Sequence, residues 1–208
     1  MTQRTAFDDA AATWNQRFQG EDYLFGREPN EYLAAQAPLL PSRGRALCVA
    51  DGEGRNSVWL ARRGLEVEAF DVSEVGVGKA RRLAAEAGVR VDYTVADCDG
   101  WPWRAAAYDL VAAIFIQFAD PVQRARLFAQ MREAVAPGGL IVLQGYTPQQ
   151  LQYRTGGPGV LSHLYTEEGL RAEFEGWELL DLRCYDAELN EGGRHRGLSA
   201  LAGLVARK

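Results

Sequence analysis

Two short stretches of this 208-residue chain gather side chains able to hold or change a ligand. The first is Ala50-Asp51-Gly52-Glu53-Gly54-Arg55-Asn56, in which glycines alternate with carboxylates between an apolar run and a helix-like one. Paired glycines let the backbone turn sharply and approach a ligand closely. No Gly-Lys-Ser/Thr follows, so the loop is not a P-loop. Asp71 ends the next apolar run, where a carboxylate accepts hydrogen bonds from both hydroxyls of a ribose or, alternatively, caps a helix before Ser73. Asp97-Cys98 follows the third run, placed to meet an adenine amino group or to form a surface turn. The second stretch is Arg194-His195-Arg196. A histidine between two arginines can orient or deprotonate a ligand and attract an anion, and a solvated hairpin end is the alternative.

The charges choose among nucleoside cofactors. A dinucleotide would set its pyrophosphate on the helix start at 54–56. Asp51 and Glu53 would then place two negative charges beside it, a costly arrangement in a partly desolvated loop. The same acids suit a ligand carrying an ammonium and a sulfonium, which is S-adenosylmethionine. The chain is also too short for a dinucleotide domain plus a separate catalytic one.

These residues need a scaffold of alternating strands and helices. Apolar runs at 45–50, 66–70, 89–95, 108–115 and 140–144 read as strands. Helices are expected at 55–63, from the Ser73 cap to 87, from the Asp120-Pro121 start to 136, and from Thr166 to 173. Residues 177–189 and 195–206 read as two long strands joined across Asn190-Glu191-Gly192-Gly193. The expected fold is α/β: a doubly wound, mostly parallel seven-stranded sheet with one antiparallel strand. Helical stretches at 8–18 and 30–40 belong to no strand–helix unit, so residues 1–44 are expected to cap a core formed by 45–208.

Composition narrows the class. With 47% apolar and 25% charged residues and a net charge of −5, the chain suits neither nucleic-acid wrapping nor an anionic membrane surface. Only Lys79 and Lys208 are lysines, and the arginines are scattered. Cys48, Cys98 and Cys184 stand far apart with no C-x-x-C pair, as in a reduced, cytoplasmic protein. The two histidines supply too few ligands for structural zinc, and no metal is expected. The longest apolar run, 110–116, falls far short of the ~20 residues of a membrane helix. Residues 1–12 carry no apolar signal core.

Leu47–Ala61 (LCVADGEGRNSVWLA), Phe70-Asp71-Val72-Ser73 and Pro137-Gly138-Gly139 before a strand resemble class I S-adenosylmethionine-dependent methyltransferases of Rossmann-like fold. Asp22–Leu33 (DYLFGREPNEYL) with residues 52–56 is similar to the tellurite-resistance and thiopurine-type small-molecule branch. The chain departs from the pattern at Cys48, where most members carry an acid, and at Ala50, where most carry glycine. The resemblance implies that Gly52, Glu53 and Gly54, with Asn56 at the helix start, line the methionyl part. It implies Asp71 and Val72 at the ribose and adenine edge, Asp97 and Cys98 at the adenine, and Ile114-Phe115 beneath the methyl. Asp51 and Glu53 stand in for the missing acid in holding the methionyl ammonium. Aromatic faces stabilise a sulfonium by roughly 0.5–2 kcal/mol each, and Trp14, Tyr23 and above all Phe25 are candidates.

In the family's strand order the last strand lies antiparallel beside the fifth, which brings Tyr146 to His195 and Arg196 as acceptor-side catalytic candidates. His163 and Tyr165, in the long loop 147–165, are expected to form a lid. With few histidines and no evident base dyad, the expected acceptor is a small molecule that is soft or already anionic: a thiol, selenol or metalloid oxyanion. Two alternatives stand beside it. One is a cofactor-binding sensor without methyl transfer, prompted by Cys48 and Ala50. The other is methylation of a macromolecule, for which no basic appendage speaks.

Overall fold

The computed structural model describes residues 10–208, so the first two residues of the helix expected from 8 lie outside it. Five parallel strands, β1 (Arg45–Val49), β2 (Glu66–Asp71), β3 (Val91–Val95), β4 (Tyr108–Ile114) and β5 (Val135–Tyr146), share one sheet with the long hairpin of β6 (Glu178–Glu191) and β7 (His195–Arg207). The order is β3-β2-β1-β4-β5-β7-β6, and β7 runs antiparallel to both neighbours. This is the expected doubly wound sheet with one reversed strand.

Side-chain alternation along the central strands builds two cores, one on each face. Leu47, Val49, Val111, Ile141 and Leu143 face one layer, with Phe128 of α5 (Pro121–Ala134) and Leu170 of α7 (Glu167–Glu173). Ala46, Cys48, Ala112, Val142 and Val205 face the other, with Leu33 of α2 (Glu31–Ala35) and Leu60 of α3 (Arg55–Arg62). Each fully buried aliphatic or aromatic side chain contributes about 1.5–3 kcal/mol.

Local chemistry sets the helix starts. Ser73 accepts the Gly76 N–H at 3.0 Å to begin α4 (Glu74–Glu86), and Thr166 does the same for Gly169 in α7. Asp120 forms a capping box with Gln123 ahead of Pro121. α1 (Ala10–Arg17) docks on the start of α4 through Asn15, whose Oδ1 accepts from Ser73 Oγ at 2.7 Å. α6 (Gln150–Tyr153) is a single turn in the loop after β5.

Several boundaries differ from the sequence reading; the hairpin strand expected over 177–189 runs on to Glu191, so the turn falls at 192–194, and three others have a visible cause. The helix expected over 30–40 ends after one turn at Ala35, and the chain continues in turns through Leu39. β3 starts at Val91 because Val89 N–H still bonds to the Ala84 carbonyl and finishes the α4 terminus. β5 begins at Val135, which pairs with Tyr108 before a register shift resumes pairing at Leu140. No helix among the described residues is long and apolar enough to cross a membrane.

Candidate active site

β2 and β4 flank β1, and their connecting helices leave on opposite sides, which opens a crevice beyond the strand ends. A cleft of about 300 Å³ lies there. The glycine loop, Asp71-Val72, residues 96–99 and Ile114-Phe115 form its base, and Trp14 and Phe25 of the N-terminal cap close over it. Phe25, Asp51, Gly52, Asn56, Asp71, Val72, Asp97, Cys98, Ile114 and Phe115 all border the cleft. Glu53 and Gly54 do not, and each has a packing task instead.

Gly54 sits at φ +92°, and a Cβ there would lie 2.7 Å from Ala80 Cβ. It therefore serves the close approach of α3 to α4. Glu53 is buried and points away from the cleft, pairing with Lys79 Nζ at 2.6 Å and accepting the Leu24 N–H at 2.7 Å. Lys79 also donates to the Phe18 and Asp22 carbonyls, so this internal pair fastens the cap to α4. The expectation that Glu53 meets a cofactor ammonium fails because the lysine has already neutralised it. Ala50 adopts φ +50°, keeping the turn that a glycine usually makes.

Asp51 and Asp71 remain as the acids of the cleft nearest the glycine loop. Asp71 Oδ2 accepts the Gly52 N–H at 2.9 Å and Oδ1 accepts that of Ser73 at 2.8 Å, so it is both loop anchor and cleft wall. Asp51 Oδ2 accepts a short hydrogen bond from Ser57. Its Oδ1 is sealed from solvent, and the carboxylate lies against the buried Cys48 thiol, which burial and Asp51 together push up. Burial pushes Asp51 up to about 7, partly opposed by Ser57 and reinforced by Asp71. Burial likewise pushes Asp71 up to about 6, against the two backbone donors.

The opposite side of the cleft, expected from the sequence to meet an acceptor, is held by a buried polar network. His195 borders the cleft between Phe25 and Phe115, with ring centroids 4.4 and 4.3 Å away. Its Nδ1 stands 3.6 Å from Glu191 Oε2. Arg55 Nη2 donates to the same oxygen at 2.7 Å, while Asn30 Nδ2 and the Glu31 N–H, both at 2.9 Å, hold Oε1. Asn30 also donates to Gln144 at 2.7 Å, and its N–H is accepted by Asn56 at 2.9 Å. Phe115, at φ +56°, turns its ring out of the end of β4 toward this group.

Other acceptor-side expectations move. Tyr146 is buried behind Phe115, ring centroids 4.8 Å apart, and does not border the cleft. Arg196 is exposed and turns to Asn190 at 3.4 Å, because alternation along β7 puts it on the opposite side from His195. His163 and Tyr165 form no lid: both are buried, with Gln117 bonded to the Tyr146 and His163 carbonyls beneath them. Tyr23 packs over Lys79 Nζ at 5.2 Å, outside the cleft. Arg55, Glu191 and Asn30 were not singled out from the sequence. Glu191 lay inside a turn signal, and nothing in the spacing links it to Arg55. Lys79 did leave a trace, a lysine on the apolar stripe of Gly76, Ala80 and Leu83.

The pattern defining the methyltransferase-domain family matches residues 46–139. An uncharacterized protein of Mycobacterium tuberculosis is 32% identical over 146 residues, 67% of this chain and 52% of that protein. The chain thus spans about half the length of the curated relatives it matches. A solved protein associated with conversion of a disulfide bond into a thioacetal group during echinomycin biosynthesis superposes with a TM-score of 0.76 at 18% identity, over 98% of this chain and 92% of that one. The N-methyltransferase NodS of Bradyrhizobium japonicum WM9, solved with S-adenosyl-L-homocysteine, gives 0.73 at 14% identity, over 97% and 99%. The chain therefore has the Rossmann-like fold of S-adenosylmethionine-dependent methyltransferases and carries their domain pattern across the glycine loop, β2 and β4.

Proposed function

We propose that the protein transfers a methyl group from S-adenosylmethionine to a small-molecule acceptor, with residues 45–208 as catalytic core and 1–44 as its cap. The carrying observation is the acidic wall of the cleft, Asp51 and Asp71 with Asp97 and Asp99, whose only basic neighbours among the described lining residues are Arg55 and His195. Such a wall suits an ammonium and a sulfonium and disfavours a pyrophosphate.

S-adenosylmethionine, when bound, supplies a methyl group activated by positive sulfur. Asp51 accepts its ammonium and Asp71 its ribose hydroxyls, while Asp97 and Cys98 flank the adenine. Ile114 and Phe115 floor the reacting end, and Trp14 and Phe25 exclude water above it. His195 faces the acceptor.

A soft nucleophile, a thiol or selenol, remains the preferred acceptor, as in the tellurite-resistance and thiopurine-type branch. The sulfur chemistry of the echinomycin protein is in keeping with it. Metalloid oxyanions lose the support that Arg196 would have lent them.

Calorimetry tests the donor: S-adenosylmethionine and S-adenosylhomocysteine bind, NADH does not, and Asp71→Ala weakens binding by about 1–3 kcal/mol through lost hydrogen bonds. Labelled-methyl transfer across thiols, selenols, oxyanions, amines and alcohols then reads the acceptor. Binding with no turnover across the panel favours the sensor reading, and NADH binding in place of the sulfonium overturns the assignment.

A further inference from the structure

We infer that Glu191 is a positioning residue that orients His195 as the base for an acceptor arriving uncharged and still carrying its proton. This rests on the methyl-transfer reading and narrows its acceptor. Three donors from two other parts of the chain, Arg55 on α3 and Asn30 and Glu31 N–H at the start of α2, fix the Glu191 carboxylate. That carboxylate stands 3.6 Å from Nδ1 of His195, a nitrogen with no hydrogen-bond partner among the described residues, so a shift of a few tenths of an ångström joins the two and leaves Nε2 to a ligand. Phe25 and Phe115 hold the imidazole plane from either side.

The charged groups against His195 are Glu191 and Arg55; Tyr146 packs edge-on at 6.0 Å, its hydroxyl pushed up by burial. Burial would raise Glu191, but His195, Arg55 and the Glu31 N–H hold it down at about 2, so it stays ionised. Burial lowers His195, with Glu191 opposing and Arg55 assisting, so the imidazole is neutral near pH 7. A base with a carboxylate behind it is therefore in place where the sequence offered only His195 by itself.

The cleft also argues against an anionic acceptor. Asp51, Asp71, Asp97 and Asp99 border it, and Arg55 is committed to Glu191. An uncharged protic group enters without that repulsion and loses its proton only at the reacting point. The acceptor's proton passes to Nε2, and the pair it leaves forms the bond to the methyl carbon as the carbon–sulfur bond breaks with its pair on sulfur. A methylated acceptor, a neutral thioether and an imidazolium beside Glu191 result, and the proton then leaves to water.

With two histidines in the chain, ¹⁵N NMR of the ring nitrogens, assigned with His163→Gln, reads the pair without any ligand. At neutral pH His195 is expected to be protonated on Nδ1 and bare on Nε2, and Glu191→Gln is expected to erode that preference. Substituted phenols and thiophenols serve as turnover probes. For probes protonated at the assay pH, Glu191→Gln and His195→Gln are expected to lower kcat about 100-fold. For probes already ionised the loss is expected to be a few-fold, with S-adenosylhomocysteine affinity unchanged in both variants. His195→Gln leaves the donors to Glu191 in place, so it stands if Glu191→Gln fails to fold. An Nε2–H tautomer in the native protein, or equal losses for both probe classes, overturns the inference. Failure to bind S-adenosylmethionine with the Nδ1–H tautomer intact overturns the methyl-transfer reading instead.

Discussion

The two sides of the cleft are built differently. On the donor side, Asp71 bonds to Gly52 and Ser73, 19 and 2 residues away, and Asp51 to Ser57, 6 away. On the acceptor side, Glu191 bonds to Arg55 and Asn30 across 136 and 161 residues. The donor side is a consequence of successive strand–helix units, each ending its carboxylate at the same sheet edge. The acceptor side exists only once the hairpin tip reaches the cap. There Gly193 N–H bonds to the Leu24 carbonyl at 3.0 Å, and a Cβ on Gly192 would lie 2.5 Å from Gly26 N and from Leu24 O.

That contrast can be broken most severely at a glycine. Gly54→Val sets a side chain against Ala80 in a left-handed backbone, and should cost about 3 kcal/mol of stability together with cofactor binding. Gly193→Ala at the tip of the acceptor hairpin, where a Cβ meets nothing within 4 Å, should leave the thermal midpoint unchanged; a comparable drop in both would mean that the hairpin tip accepts no side chain even where the structure leaves room.

The two sides should also respond oppositely to pH. Asp51 and Asp71, at about 7 and 6, hold protons in the folded chain that the unfolded chain has released, so they lower stability as pH rises from about 4 toward 7. Glu191, at about 2, contributes stability above the unfolded value near 4.3 that is lost as pH falls through 2. If Asp51 holds the ammonium as proposed, S-adenosylmethionine binds its ionised form, so the affinity should rise about tenfold per unit from pH 5 to 7 and then level off. Calorimetry across that range checks this, and a slope that survives in Asp51→Asn would remove Asp51 from the ammonium site.

The smallest effect is expected at Ala50. Its φ of +50° suits glycine, so Ala50→Gly should relieve backbone strain, partly offset by the freer unfolded chain. A net gain of about 0.5 kcal/mol in urea unfolding is expected, with S-adenosylhomocysteine affinity preserved. Weaker binding in that variant would show that Ala50 itself shapes the donor site.

Much of the sheet was legible because its strands are short apolar runs and its helix caps lie within three residues of the groups they satisfy, as at Ser73, Asp120 and Thr166. Asp51, Asp71 and Phe115 were legible for a related reason: each ends a strand or stands within two residues of its end, which sets its place at the sheet edge. Glu53 misled because a carboxylate beside a glycine loop looks the same whether it faces the cleft or Lys79. Arg196 misled because neighbours on a strand face opposite sides, and the sequence does not say which side is the cleft.

Period-two and helical patterning therefore determined the strand order's raw material, the loop at the first strand and the sign of its charge. The tertiary structure alone decided which carboxylates stay free and which are spent on cations. It also decided that Arg55, Asn30 and Glu191 converge behind His195. Burial explains the division: local hydrogen bonds are encoded by spacing, whereas the pairing of buried charges depends on which distant surfaces close together and exclude water.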